Sequence, residues 1–258
     1  MLNGWRRNTR HIKAITAAAL LLLGTGLPYG VAANEGSTQV SQQGSVTDTL
    51  TTRQQAIPLI ASAMATSNME RLRDALNRGL DAGLTVNEAK EVLVQLYAYA
   101  GFPRSLNALN ELMKVVEARK ARGINDPLGK EPVTPIPVGD ELRRVGTANQ
   151  TRISGAPVQG PLFEFAPVIN QYLQTHLFGD IFARDNLDWQ SRELATVGAL
   201  ASMPGVEAQL LSHMRASQRV GLSAGQLHQV VQLLREQGEV DAATRAQKAL
   251  QQALAATK

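Results

Sequence analysis

The sequence predicts an all-α protein, and three observations carry that prediction. Apolar residues recur at three- and four-residue spacing through residues 51–121 and again from Phe163 to the C-terminus, the period of a helix with one buried face. Helix stop-and-cap signals, Gly83-Leu84-Thr85 and Gly221-Leu222-Ser223, fall between those stripes. No alternation of apolar and polar residues runs long enough for a useful strand.

In chain order, Ile57, Ile60 and Met64 form the first stripe, and Leu72, Leu76 and Leu80 the second. Gly83 stops that helix. Thr85 caps the next, with Glu88 three residues on completing a capping box. Ala89, Val92, Leu93 and Leu96 follow, then a break at Gly101-Phe102-Pro103 and a further helix with Leu106, Leu109, Leu112 and Val116. Residues 122–161 hold six prolines and six glycines. They read as a long connection with one helical turn near Glu141–Val145, wrapping the other repeat or a neighbouring subunit. A helix is expected over Phe163–Leu177, a turn region over Gly179–Asn186, and helices over Asp188–Ala201, Glu207–Arg219, after Ser223, and over 239–256.

The N-terminus reads as an address. Arg6, Arg7, Arg10 and Lys13 precede an apolar run, Ala14–Leu23, that is too short to span a bilayer. Pro28 and Val31-Ala32-Ala33 follow, which is the layout of a signal peptide cut after Ala33 and implies a periplasmic or secreted protein. Residues 34–50 read as a flexible leader rich in Ser, Thr, Gln and Gly. The expected organisation is therefore 1–33 signal, 34–50 leader, 51–121 first helical repeat, 122–161 connection and 162–258 second repeat.

Charge and composition narrow the function classes. Residues 1–33 hold four Lys/Arg and no Asp/Glu, so the remainder carries 22 basic against 22 acidic residues. Such a surface gives no reason to expect nucleic acid, and after signal cleavage no membrane partner is expected. The chain has no Cys, which removes thiol peroxidase chemistry and thiolate metal ligation. His11, His176, His213 and His228 are scattered without ligand spacing, and no Gly-rich loop follows a strand. Neither a metal nor a nucleotide cofactor is therefore expected.

The two halves align at an offset of 138, with Gly221-Leu222-Ser223 on Gly83-Leu84-Thr85, Leu210 on Leu72, Ala199 on Ala61 and Val230 on Val92. This is the signature of a duplicated unit. At that register Glu193 falls on Gln55 and His213 on Ala75, so only the second half has groups able to move a proton. Glu193 and His213 are the candidate acid/base pair. A first-turn Glu also suits a helix dipole, and a lone His on an apolar face also serves as core. His176, Arg184 and Arg192 are candidates for holding a substrate carboxylate.

The segments Asp188-Trp189-Gln190-Ser191-Arg192-Glu193-Leu194-Ala195-Thr196, His213-Met214-Arg215 and Val220-Gly221-Leu222-Ser223 resemble the carboxymuconolactone decarboxylase family, which includes alkylhydroperoxidase-like proteins. So do the first-half segments Ala82-Gly83-Leu84-Thr85, Gln95–Pro103 and Leu106–Leu109. The resemblance implies a compact helical fold assembling into rings, here a trimer of duplicated chains. It also implies decarboxylation or proton transfer on a small carboxylated lactone or enolisable acid. The peroxidase branch of the family carries Cys-x-x-Cys, with its second Cys four residues before the His. Val206 and Gln209 stand at those positions here, so the resemblance points to the thiol-free branch. The alternative is a binding or assembly module that keeps the fold without the chemistry. An alkylhydroperoxidase activity comes third.

Overall fold

The computed structural model describes residues 48–256, which contain helices and no strand. The signal segment assigned to 1–33, and residues 34–47 of the leader, lie outside the described residues. Residues 48–50 belong to the fold, correcting the leader's boundary. Leu50 is buried and its N–H donates to Gln229 Oε1 at 2.7 Å, while Ser223 Oγ donates to Asp48 at 2.6 Å.

The first half comprises α1 (Thr52–Ala65), α2 (Met69–Asp81), α3 (Val86–Gln95), the single turn α4 (Tyr97–Ala100) and α5 (Phe102–Ala121). Each boundary has a local cause. Thr51 and Thr85 close capping boxes with Gln54 and Glu88, and Asn68 accepts from Arg71 N–H. These side chains satisfy donors that the first turn leaves unpaired. After the connection come α6 (Gly139–Ser154), α7 (Pro161–Phe165), α8 (Pro167–Tyr172) and a π-helix (Leu173–Ile181). The last four are α9 (Trp189–Ser202), α10 (Glu207–Arg219), α11 (Ala224–Glu236) and α12 (Val240–Ala255). Asp188 caps α9, and Ser223 with Gln226 closes the box at α11. Three of the four corresponding helix starts recur at one separation, while Thr52 and Trp189, which open α1 and α9, stand 137 residues apart. Met69 and Glu207, Val86 and Ala224, and Phe102 and Val240 each stand 138 residues apart.

One apolar core joins both halves, with Ile57, Ile60, Leu72, Leu93, Leu194, Leu210, Val230 and Leu250 all inaccessible or nearly so. Its axis is the crossing of α1 on α9. At that crossing a Cβ on Gly198 would sit 2.4 Å from the Pro58 carbonyl oxygen and 2.7 Å from its Cα. The backbones therefore touch directly, and no larger residue fits without moving a helix. A smaller cluster, Ile153, Leu177, Phe178, Ile181, Phe182 and Ala216, packs α6 and the π-helix against α10.

Three expectations for the middle of the chain need correction. The connection is not structureless after its first part, because α6 is a sixteen-residue helix. Its inner face is Gly146, Gln150 and Ile153, small and polar residues that leave almost no apolar stripe to read. Gly146 is needed there, since a Cβ would fall 1.7 Å from the Gln174 carbonyl oxygen. The helix expected over Phe163–Leu177 is broken at Ala166-Pro167, where proline removes an N–H donor. The turn region expected from Gly179 begins later, because the π-helix runs through Ile181. Residues 123–138 do tie parts of the chain together. Val86 and Asn87 N–H donate to the Pro127 and Leu128 carbonyls, and Val133 and Thr134 N–H donate to Asp185.

Candidate functional site

Asp188 Oδ1 accepts the Ser191 N–H at 2.8 Å and fixes the first turn of α9. One turn in, Glu193 faces the core and is fully inaccessible. His213 lies on the facing side of α10. Its Nδ1 stands 2.8 Å from Glu193 Oε2, with the imidazole only partly covered and the carboxylate completely so. An ionised carboxylate accepts only, so Nδ1 is the donor in this contact. The second Glu193 oxygen, Oε1, is buried without a hydrogen-bond partner among the described residues.

Tyr99, from the first half, completes the wall. Its ring meets the His213 imidazole edge-on at 5.4 Å. Its hydroxyl is buried beside the Thr196 hydroxyl without meeting good hydrogen-bond geometry. Burial, reinforced by the Glu193 charge, pushes the phenol far above its ordinary value, so Tyr99 stays protonated.

His213 also lines a cavity of about 270 Å³, with Ile153, Phe178, Arg215, Ala216 and Arg219 among its walls. Glu193 does not line it. The group that can touch a ligand is therefore His213, and Glu193 acts from behind.

The structure places the other sequence candidates elsewhere. Arg192 is inaccessible. Its Nη2 donates to Glu91 Oε1 at 3.0 Å and to the Arg184 carbonyl, and its Nη1 donates to Gln95 Oε1. Arg184 Nε donates to the same Glu91 oxygen at 2.8 Å. Burial alone would raise Glu91, but Arg184 and Arg192 outweigh it and hold the carboxyl below its usual range. Both arginines expected to bind a substrate carboxylate are thus engaged with an internal one. They clamp α9 to α3, because Gln95 Nε2 also donates to the Arg192 carbonyl and to Thr196 Oγ1. His176 is exposed and pairs with Asp180 at 2.6 Å on the π-helix. It lies against Tyr97, not Glu193.

Sequence reasoning singled out neither Tyr99, Arg215 nor Arg219 as a site residue. A usable signal was present for Arg219. Ser212, Ala216 and Arg219 recur at four and three residues, one face of a helix flanked by His213.

No group of three or more His, Cys, Asp or Glu among the described residues is arranged to hold a metal ion. No helix among them is long and apolar enough to cross a membrane.

Residues 167–254 match the model of the carboxymuconolactone decarboxylase family, a span that contains the π-helix, α9 to α11, all but the last residue of α12, Glu193 and His213. No curated protein matches the chain.

Proposed function

We propose, from that match and the geometry around His213, that this protein performs acid/base chemistry on a small enolisable acid of the carboxylated-lactone kind. His213 would be the proton carrier and Glu193 the positioning residue. One observation carries the reading: the 2.8 Å contact between a buried carboxylate and an imidazole that lines a cavity. A carboxylate behind an imidazole fixes its tautomer and stabilises the imidazolium formed when it takes a proton. In proton transfer, the C–H electron pair moves into the substrate's enolate as Nε2 accepts the proton, and the reverse step returns it. In decarboxylation the C–C pair becomes the enolate on loss of CO₂, and His213, having first taken a proton from solvent on Nε2, delivers it to carbon. Phe178 and Ile153 form an apolar part of the cavity wall, and Tyr99 stands protonated behind His213.

The 138-residue separation shared by three pairs of helix starts supports descent of the two halves from one duplicated unit. The chemistry then belongs to the second, since Gln55 and Ala75 occupy the matching positions. The thiol mechanism of peroxidases has no residue to run on, since the chain has no Cys.

Hydrogen–deuterium exchange tests the acid/base reading without requiring the true substrate. Wild-type protein in D₂O should incorporate deuterium α to the carboxyl of carboxylated lactones or 3-oxo acids faster than buffer does. Exchange no faster than in buffer across such a series would remove the reading and leave a non-catalytic module.

Export and assembly are part of the same proposal. The basic and apolar N-terminus supports signal cleavage near Asn34. Exposed Leu162, Phe165, Val168 and Tyr172 on α7 and α8 support burial against another copy. Mass spectrometry of the exported protein should find that new N-terminus, and light scattering should give about three chains. An intact N-terminus, or a monomer at micromolar concentration, would overturn the corresponding part.

A further inference from the structure

We propose that the cavity beside His213 is an anion site in which Arg215, with Arg219 at its edge, holds the carboxylate of a small acid. This rests on the acid/base reading for its meaning, but on separate observations for its existence.

The first observation is Arg215 itself. Among the described residues it makes no ion pair and no hydrogen bond, and its Nε is buried without a partner. Leaving a guanidinium N–H dry and unpaired is costly, so such a group is normally matched. Several other arginines are matched by carboxylates, and Arg192, whose Nε is also buried without a partner, has both Nη atoms engaged. Arg53 pairs with Glu88, Arg73 with Glu111 and Arg119 with Asp126.

The second is the lining. Residues around the cavity include His213, Arg215 and Arg219 but no Asp or Glu, so nothing there neutralises the guanidinium. Ile153, Val158 and Phe178 offer an apolar wall for a hydrocarbon portion. At about 270 Å³ the space lies at the small end of ligand sites, which selects a compact molecule.

The third is helical geometry. At roughly 100° per residue, Ser212, Ala216 and Arg219 share one face of α10, with His213 and Arg215 on its two flanks. A ligand seated over Ala216 would therefore have the imidazole on one side and the guanidinium on the other. A carboxylate on Arg215 takes the planar fork through two oxygens. The carbon to be deprotonated then lies toward His213.

Arg219 lies across the end of α6, where its Nη1 donates to the Ile153 carbonyl at 3.3 Å. Gly155 makes room for it. That residue has φ +81°, and a Cβ there would fall 2.5 Å from Arg219 Nε. Arg219 thus has a structural duty as well, and the sharper test is on Arg215.

Titration calorimetry on the full chain, with acetate, succinate and inorganic phosphate as probes, should show binding of the two carboxylates. Arg215→Gln should weaken succinate about 10- to 100-fold, the range for losing a charge-assisted fork. Arg215→Lys keeps the charge without the fork and should fall between. Arg143→Gln, an exposed arginine on α6, should bind like wild type, and matching melting curves should confirm that each variant is folded. The proposal is overturned if wild type binds neither carboxylate, if folded Arg215→Gln binds as well as wild type, or if Arg143→Gln loses as much. Phosphate binding tighter than either acid would overturn the carboxylate assignment. Glu193→Gln should keep succinate affinity. Retained binding with no proton exchange in wild type would leave this site standing and remove the acid/base reading.

Discussion

Glu91→Gln is expected to destabilise the protein by about 3–5 kcal/mol, the cost of leaving a buried charge without its partner. Glu91 is a buried carboxylate between two guanidiniums, and Arg192 is wholly inaccessible. Once Glu91 is neutral, Arg192 keeps only uncharged acceptors, the oxygen at position 91, Gln95 Oε1 and the Arg184 carbonyl, and burial already lowers its hold on a proton. Arg192→Met should cost less, because Glu91 still has Arg184 and methionine tolerates the space. Acid should reproduce the Glu91→Gln effect in the wild type. The folded-state value of Glu91 lies below its unfolded value near 4.3. Its contribution is therefore complete above that pH and is lost as the pH falls through the folded value. Urea melts at pH 7 and in stepwise more acidic buffers check both statements. An unchanged midpoint for Glu91→Gln at pH 7 would show that the clamp contributes nothing.

The second large effect concerns turnover. His213→Asn should lower the exchange or decarboxylation rate by about 10²–10⁴, the usual contribution of a general acid/base. Glu193→Gln should also remove most turnover, by a different route. It should lower kcat while leaving KM almost unchanged, because Glu193 does not reach the cavity. The glutamine amide can face Nδ1 with its nitrogen, which would turn the imidazole to the other tautomer. The same change should leave the melting temperature equal to wild type or raise it, since it removes a buried charge whose Oε1 is unpartnered. A purely structural Glu193 would give the opposite pattern, with stability lost and kcat kept.

Much of this site was legible in the residues alone, for physical reasons that can be named. Capping side chains and glycine stops act within a few residues, so Thr85, Asp188 and Ser223 marked helix starts correctly. Glu193 and His213 were separable from background because the repeat offset left no counterpart for either. Arg192 misled because burial of an arginine depends on a partner that is distant in sequence. Glu91 is 101 residues away, and nothing local announces it. Helix α6 was missed because Gly146 and Gln150 fill the positions where a stripe would be read. The widened turn of the π-helix likewise has no periodic signature of its own. Arg215 was hidden by its neighbours, since an arginine amid Ser, Gln and His reads as a solvated face until the cavity beside it is seen.

The crossing of α1 on α9 also sets an order of events as the chain is made. Residues 66–188 intervene between the two helices, yet Gly198 rests directly on the Pro58 backbone. Within its own half α1 packs against α2, α3 and α5, while the part of its surface that meets α9 is covered only when synthesis has passed residue 202. Pairings so distant along the chain close slowly. The first half therefore has local packing to form early, and the seam between α1 and α9 is the part of the core that closes last.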